Sequence, residues 1–286
     1  MNVTLPEKTA IKKKVLIIYI SIVVFCLISI IVAFYVQFYA RIDLGILIGK
    51  EPQQYGKKTE EELQELKDKF DKIFDNSIKN VSNQNNEKRK NNERSLIYTE
   101  IEEKENKINS YDIDVNIPQI NVDNKIVKKY NKEIIDVFKS KLDNVLKSEN
   151  KNIIYTVEYT ANIEYDILSL MIKSNLKEGA SAQRIIIQTY NYDLRNNKEI
   201  SLEEVLKIKN INVEETQIQI KKEIEDEQKR VEDLKKLGYN IYGRDPNSEM
   251  YNLKNSKQFY LSDNAIYIIY PYGNDTFTSE MDMIIL

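Results

Sequence analysis

No histidine occurs anywhere in the 286 residues, and that absence excludes more than any motif adds. Ser-His-Asp and Cys-His nucleophile systems cannot be assembled without it, nor can the two-histidine zinc sites of metallohydrolases. There is one cysteine, Cys26, so neither an internal disulfide nor a multi-cysteine metal site can form. Tryptophan is absent, and glycine (7) and proline (5) are scarce, which leaves little material for a loop-rich scaffold. The formal net charge of -3, with pI near 5.5, lacks the clustered basic excess of a nucleic-acid binder. Charged residues at 30% and hydrophobic ones at 42% fit a folded chain held by an ordinary core.

What is present begins with "KKKVLIIYISIVVFCLISIIVAFYVQFYAR". Val15 to Val36 carries no charge, and at ~1.5 Å per residue it spans about 33 Å, close to a hydrocarbon core of roughly 30 Å. Tyr35, Phe38 and Tyr39 stand where an aromatic belt meets the headgroups. Lys8, Lys12, Lys13 and Lys14 precede the run, whereas only Arg41 and Lys50 follow closely. The positive-inside rule then puts the N-terminus in the cytoplasm and the rest outside. The run is longer than a signal-peptide core, and Phe38-Tyr39-Ala40 is a poor cleavage site, so an uncleaved signal anchor over 15–39 is expected. The expected localisation is the cell membrane, single-pass, behind a cytoplasmic tail of residues 1–14.

Residues 40–94 read as a juxtamembrane helix and linker. Thr59 with Glu62 makes a capping-box pattern, and Leu63, Leu66, Phe70, Ile73, Phe74 and Ile78 recur at helical spacing. This helix, about Glu60 to Lys79, has an apolar stripe that can pair with a second copy or fold back on the domain or membrane. "NVSNQNNEKRKNNER" follows as a solvated linker, so anchor, helix and linker form a helical stalk.

From Ser95 the pattern becomes β. Two strands, the second ended by Pro118, precede a helix with Asp123 as N-cap and Ile126, Val127, Tyr130, Ile134, Phe138, Leu142, Val145 and Leu146 on one face. Two long strands, a turn at Glu178-Gly179 and a strand to Asp193 come next. Asn196-Asn197 is a turn, Ser201 with Glu204 caps a short helix, and a charged helix runs from Val213 to Leu237 with Gly238 as its stop. Two strands around Ser262-Asp263-Asn264 and a last strand end the chain. The fold class is α+β: a mostly antiparallel sheet with helices packed on one face, preceded by a single transmembrane helix and the stalk.

"YDIDVNIPQI" before a long helix, strands ending in "EGASAQ", "YNYDLRNNKEISLEEVL" and "FYLSDNAIYIIYPY" together resemble a known domain pair. It is the extracytoplasmic pair of RsiV-like anti-sigma factors of the sigma-V type, found also ahead of the catalytic domain in PdaC-like peptidoglycan deacetylases. The likeness covers roughly Ser95 to Leu286. It implies two outward subdomains, 95–200 (PdaC-like) and 201–286 (RsiV-like C-terminal), that bind an envelope component or an attacking enzyme such as lysozyme. Where the family often has Gly-Ala-His-Pro, this chain has Gly179-Ala180-Ser181-Ala182, and Asn196-Asn197 stands in the family's Thr-Gly turn. Met1 to Lys14 is short for gripping a sigma factor, so the anti-sigma function is not carried over.

Carboxylate chemistry remains open to a chain without histidine. Asp112 and Asp114 share a strand face, and Glu158 and Glu164 another, but solvent-face charge explains them better than glycosidase work. Asp112, Asp114, Asp263 and Asp275 lack cation-loop spacing, so no metal and no cofactor is expected. Tyrosines are the stronger candidates. Tyr155, Tyr159 and Tyr165 share a parity with Val157, Ala161 and Ile163, which favours core. Tyr190, Tyr192, Tyr267 and Tyr272, with Ser181, are the candidate ligand-binding residues, since tyrosine suits interfaces and sugar stacking. Glu223, Glu225, Asp226, Glu227, Glu232 and Asp233 form a charged face that suits a basic partner.

The reading that results is a membrane-anchored, non-catalytic extracytoplasmic domain recognising lysozyme or peptidoglycan. The alternatives are an envelope scaffold dimerising through the Glu60–Lys79 helix and a carboxylate-dependent cell-wall glycan hydrolase. Expected partners are the lipid bilayer and the envelope ligand, with no nucleic acid.

Overall fold

The structure is a computed structural model that describes residues 21–29, 58–74, 94–262, 264–271 and 281–286. It divides into two units, Met1–Gln54 and Tyr55–Leu286. In the first, residues 21–29 are helical (α1), their side chains are exposed, and the Ser29 hydroxyl donates to the Phe25 carbonyl at 2.9 Å. The rest of the expected 15–39 span lies outside the described residues, as do the 1–14 tail and residues 40–57. Among the described residues no helix is long and apolar enough to cross a membrane.

The second unit holds every strand described. A six-stranded sheet runs β1 (Ile97–Lys107), β2 (Tyr111–Ile120), β3 (Ile153–Glu164), β4 (Ile167–Glu178), β5 (Arg184–Asp193), β6 (Lys198–Glu199), in that order. All neighbours are antiparallel except β2 and β3, which pair in parallel over Tyr111–Val115. Parallel pairing needs a crossover, and the long helix supplies it as α3 (Lys125–Ile134), a π-helical turn (Ile135–Lys139) and α4 (Ser140–Lys147).

Three details differ from the sequence expectation. Pro118 does not end β2, which continues to Ile120; there β1 bulges between Thr99 and Ile101 and β3 no longer pairs, so the ladder tolerates a missing N–H. The helix is capped by Asn124, whose side chain accepts from the Ile126 N–H at 2.8 Å, while Asp123 pairs with Lys128 at 2.7 Å. Ile134, Phe138 and Leu142 are spaced by four, wider than an α turn. The π turn re-phases them onto the sheet, and the Tyr155 hydroxyl takes up the Phe138 carbonyl at 3.1 Å.

Strand alternation sends Ile113, Val115, Ile117, Tyr155, Val157, Tyr159, Leu168, Leu170 and Ile172 to the face under this helix, where they bury Val127, Tyr130, Ile134, Phe138, Leu142 and Val145. Tyr165 leaves that series. With Asp166 it makes a two-residue hairpin turn at positive φ (53° and 60°), so the expected shared face with Tyr155 and Tyr159 is corrected to an exposed turn position.

The other face of the sheet is covered too, which corrects the one-face expectation. A three-stranded antiparallel sheet, β7 (Phe259–Ser262), β8 (Ala265–Pro271) and β9 (Met281–Ile285), lies there. Its Tyr260, Tyr267 and Ile285 meet Met171 and Ile187 of the large sheet, and Leu66, Phe70 and Phe74 of the juxtamembrane segment. Its opposite face packs on α5 (Leu202–Ile208) and α6 (Val213–Lys236) through Val205, Leu206, Ile220 and Ile224. Helices therefore form layers on both sides.

The juxtamembrane helix α2 (Glu60–Asp71) starts on a complete capping box, with the Thr59 N–H donating to Glu62 at 2.8 Å and the Glu62 N–H to Thr59 at 3.2 Å. It ends at Asp71 in a turn over 72–74, where the expected helix ran on, and residues 75–79 of that expectation lie outside the described residues. The Phe70 ring sits 5.1 Å from that of Tyr267. Of the courses open to its apolar stripe, Leu66, Phe70 and Phe74 take the one that folds back on the domain.

Candidate functional site

β5 carries the two candidate tyrosines nearest one another in sequence, and alternation puts both on the face under α3. Tyr190 is 6% exposed and Tyr192 fully buried. The Tyr190 ring lies 5.1 Å from the Tyr130 ring of α3 at 57°. The Tyr190 hydroxyl donates to the Gln188 side-chain oxygen at 2.8 Å, and the Tyr130 hydroxyl donates to the Asn191 carbonyl at 3.2 Å. Both tyrosines floor a groove of about 570 Å³.

One rim comes from α3, with Lys129 and Glu133; the other from Glu199, Ser201 and Glu204, and from Lys254, Lys257 and Gln258 before β7. Local chemistry fixes both. Ser201 and Glu204 are tied by their own capping box, and Lys198 pairs with Glu204. Gln258 is locked by the Thr189 N–H, which donates to its side-chain oxygen at 2.6 Å. Burial pushes the Tyr130 and Tyr190 phenols well above their ordinary range, and the carboxylates Glu199 and Glu133 push Tyr130 further. Both hydroxyls are therefore neutral hydrogen-bonding groups at neutral pH. The groove offers hydroxyls, amides, three carboxylates and three ammonium groups, a set suited to hydrogen-bonding a polar ligand of 300–1,000 Å³ class.

The other candidates stand elsewhere. Tyr267 is fully buried in the core shared with Phe70 and Tyr260. Tyr192 donates its hydroxyl to Asn197 at 3.4 Å inside the turn it helps close. Ser181 sits in the exposed β4–β5 turn, its hydroxyl donating to the Glu178 carbonyl at 2.6 Å. Tyr272 lies outside the described residues, as do Asp263 and Asp275. The structure thus brings Tyr190 to a concave surface and leaves Tyr192, Tyr267 and Ser181 in separate structural roles. Burial removes the faces of the first two from solvent.

The carboxylates singled out by parity are also dispersed. Asp114 is held by Lys104 at 2.5 Å, and Glu164 by Lys209 at the far end of β3. Among the described residues no group of three or more acidic or cysteine side chains is placed to hold a metal. Sequence reasoning missed Tyr130, Glu133, Gln188 and Glu199. Two short-range signals were available: Tyr130 with Glu133 one helical turn apart, and Gln188 with Tyr190 on one strand face. Their meeting was not readable, because α3 and β5 are sixty residues apart.

No family model matches this chain, and no curated protein matches it. Solved structures similar to it include DUF3298 family proteins. One, from Bacteroides fragilis, is 13% identical, with a TM-score of 0.33 over 66% of this chain and 89% of that one. Another, from Pseudomonas aeruginosa, is 10% identical, with a TM-score of 0.38 over 66% and 87%.

Proposed function

We propose that this protein is a membrane-anchored, non-catalytic binding protein whose folded unit faces out of the cell and recognises a cell-envelope ligand, peptidoglycan or lysozyme. The apolar run over 15–39, with its lysine-rich leading flank, supplies the anchor and the orientation. The resemblance over Ser95 to Leu286 supplies the ligand class.

One observation carries the binding role: the groove over Tyr130 and Tyr190. It is lined by amides, hydroxyls and charges of both signs, and where a hydroxyl there meets a carboxylate, Ser201 to Glu204 at 3.0 Å, the pair is the capping box of α5. Its volume suits a segment of glycan or peptide, so a peptidoglycan fragment enters whole, whereas lysozyme engages by inserting a loop. Without histidine in the chain, proton transfer would fall to carboxylates, and Glu133, Glu199 and Glu204 stand among lysines on the groove rims.

The test has two arms. Protease added to intact protoplasts is expected to digest the folded unit, and protection would reverse the orientation. Membranes carrying the full chain are expected to retain added peptidoglycan fragments or lysozyme without releasing new reducing ends from purified wall. Reducing-end release would replace the binding role by the hydrolase alternative.

A further inference from the structure

The edges of the two sheets are treated unequally, and the difference marks a second site. The outer edge of β7 is closed by side chains of the large sheet. The Phe259 N–H donates to Thr189 at 3.0 Å and the Leu261 N–H to Ser169 at 3.1 Å; Asn191 and Asn162 donate to the carbonyls of the same two residues at 2.9 and 3.2 Å. The β1 edge is studded with Glu and Lys, a usual guard against strand addition. The β9 edge has neither protection.

On β9 the ladder reveals which groups are left over. Leu286 and Ile266 exchange both backbone bonds, at 3.1 and 3.0 Å, so Ile284 and Asp282 also bond inward to β8. The N–H and C=O groups of Met281, Met283 and Ile285 therefore point away from the sheet. Among the described residues no strand pairs with them and no side chain bonds to them. This row opens into a cleft of about 560 Å³ lined by Lys67 of α2, by Glu223, Asp226, Glu227 and Arg230 of α6, and by the paired Arg244 and Asp282.

The strand is held firmly by the contacts of Asp282, within the cleft lining. Asp282 accepts from the Tyr251 hydroxyl at 2.7 Å and from Arg244 Nε at 3.1 Å, and all three side chains are buried. Arg244 in turn donates to the Tyr242 carbonyl at 2.9 Å. A rigid, pre-formed edge costs little ordering when a partner pairs with it.

We propose that this cleft binds an extended basic peptide segment, which adds to β9 as a fourth strand. Backbone bonds to Met281, Met283 and Ile285 supply the attachment, and alternate side chains of the guest face the two walls. Those facing α6 meet the three carboxylates. Asp226 pairs with Lys229 as an exposed neighbour on the same helix, which a guest lysine or arginine displaces at little cost, while Glu227 is shared between Arg230 and the buried Arg244, 3.9 Å away. A second copy of this chain is not the occupant. It would bring Asp282, and no lysine or arginine, against the carboxylates of α6. The site is separate from the Tyr130–Tyr190 groove and does not rest on the ligand assigned there.

The test uses the full chain in lipid nanodiscs and a fluorescent peptide of alternating lysine and valine, six residues long. Saturable anisotropy change is expected, with affinity falling at least tenfold when alternate amides of one parity are N-methylated and little for the other parity. Glu223→Lys with Asp226→Lys is expected to weaken binding by a similar factor, and Met283→Pro, which removes an outward N–H but no ladder bond, to abolish it. The charge-reversed variant keeps the test open where the proline variant fails to fold. Absence of saturable binding would overturn the proposal. So would indifference to N-methylation and charge reversal, loss of binding on Glu133→Gln with Glu199→Gln, or a dimer in which the Met283 amide becomes protected.

Discussion

Asn191 of β5 donates its side-chain N–H to the Phe259 carbonyl of β7 at 2.9 Å while its own oxygen accepts from the Ser169 hydroxyl at 2.6 Å. The large sheet thereby closes the edge of the small one with side chains instead of a strand. All of these atoms are buried, so each unmade bond would carry its full desolvation cost. Asn191→Leu leaves the Phe259 carbonyl and the Ser169 hydroxyl without this partner. Urea unfolding of the full chain is expected to show a loss of about 1–3 kcal/mol. An unchanged midpoint would mean the seam is held by apolar contact alone.

Helix α2 is the second test of the architecture, because a stalk helix and a core helix respond differently to truncation. Phe70 is buried against Tyr267 and shares a cluster with Met171 and Ile187. Phe70→Ala is expected to cost about 3–5 kcal/mol, whereas Glu61→Ala on the exposed side stays within about 0.5 kcal/mol. Equal and negligible effects in thermal unfolding would return α2 to the role of a free stalk.

Lys209 and Glu164 form a buried ion pair between α5 and the end of β3, with the lysine side chain fully enclosed and its ammonium 4.7 Å from the centre of the Tyr165 ring. Burial pulls the Lys209 pKa below the ordinary lysine value, and the Glu164 carboxylate only partly offsets this. In the window between the lowered folded value and the unfolded value near 10.5, the unfolded chain binds more protons. Stability from this group therefore rises with pH through that window and is flat below it. Glu164→Leu strands the buried ammonium and is expected to cost about 3–5 kcal/mol at pH 7. Part of that loss should be recovered as the pH approaches 10. Lys209→Met should cost less, because the carboxylate it leaves is nearer solvent. Urea midpoints at pH 7, 8.5 and 9.5 check the sign, and a loss that deepens with pH would contradict it.

Local structure was legible wherever a local rule decided it. Thr59 with Glu62 and Ser201 with Glu204 made the capping boxes their spacing announced, and Asn197 and Asn264 took positive φ in turns. Gly238, at φ 92°, stops α6 as its position implies. Strand parity found the cores under α3 but failed at Tyr165, since alternation cannot register a two-residue turn that begins on an aromatic. What stayed hidden were long-range polar contacts. Thr189, Asn191, Ser169 and Asn162 read as ordinary strand residues, and nothing near them in the chain announces that β7 needs their hydrogen bonds. The groove was half legible for the same reason: Tyr190 was a candidate, but its neighbour Tyr130 looked like one more residue on a helix face.

The binding claim rests most directly on the groove rims. Hydrogen bonds to charged groups contribute about 1.5–3 kcal/mol each, so losing even one such contact shifts affinity about tenfold or more. Isothermal titration of the full chain in nanodiscs with a soluble peptidoglycan disaccharide-peptide, and separately with lysozyme, provides the measurement. The account predicts saturable binding to at least one of them, weakened about tenfold or more by Glu133→Gln with Glu199→Gln while the unfolding midpoint holds. No heat from either ligand, or binding that ignores the groove substitutions, would contradict it.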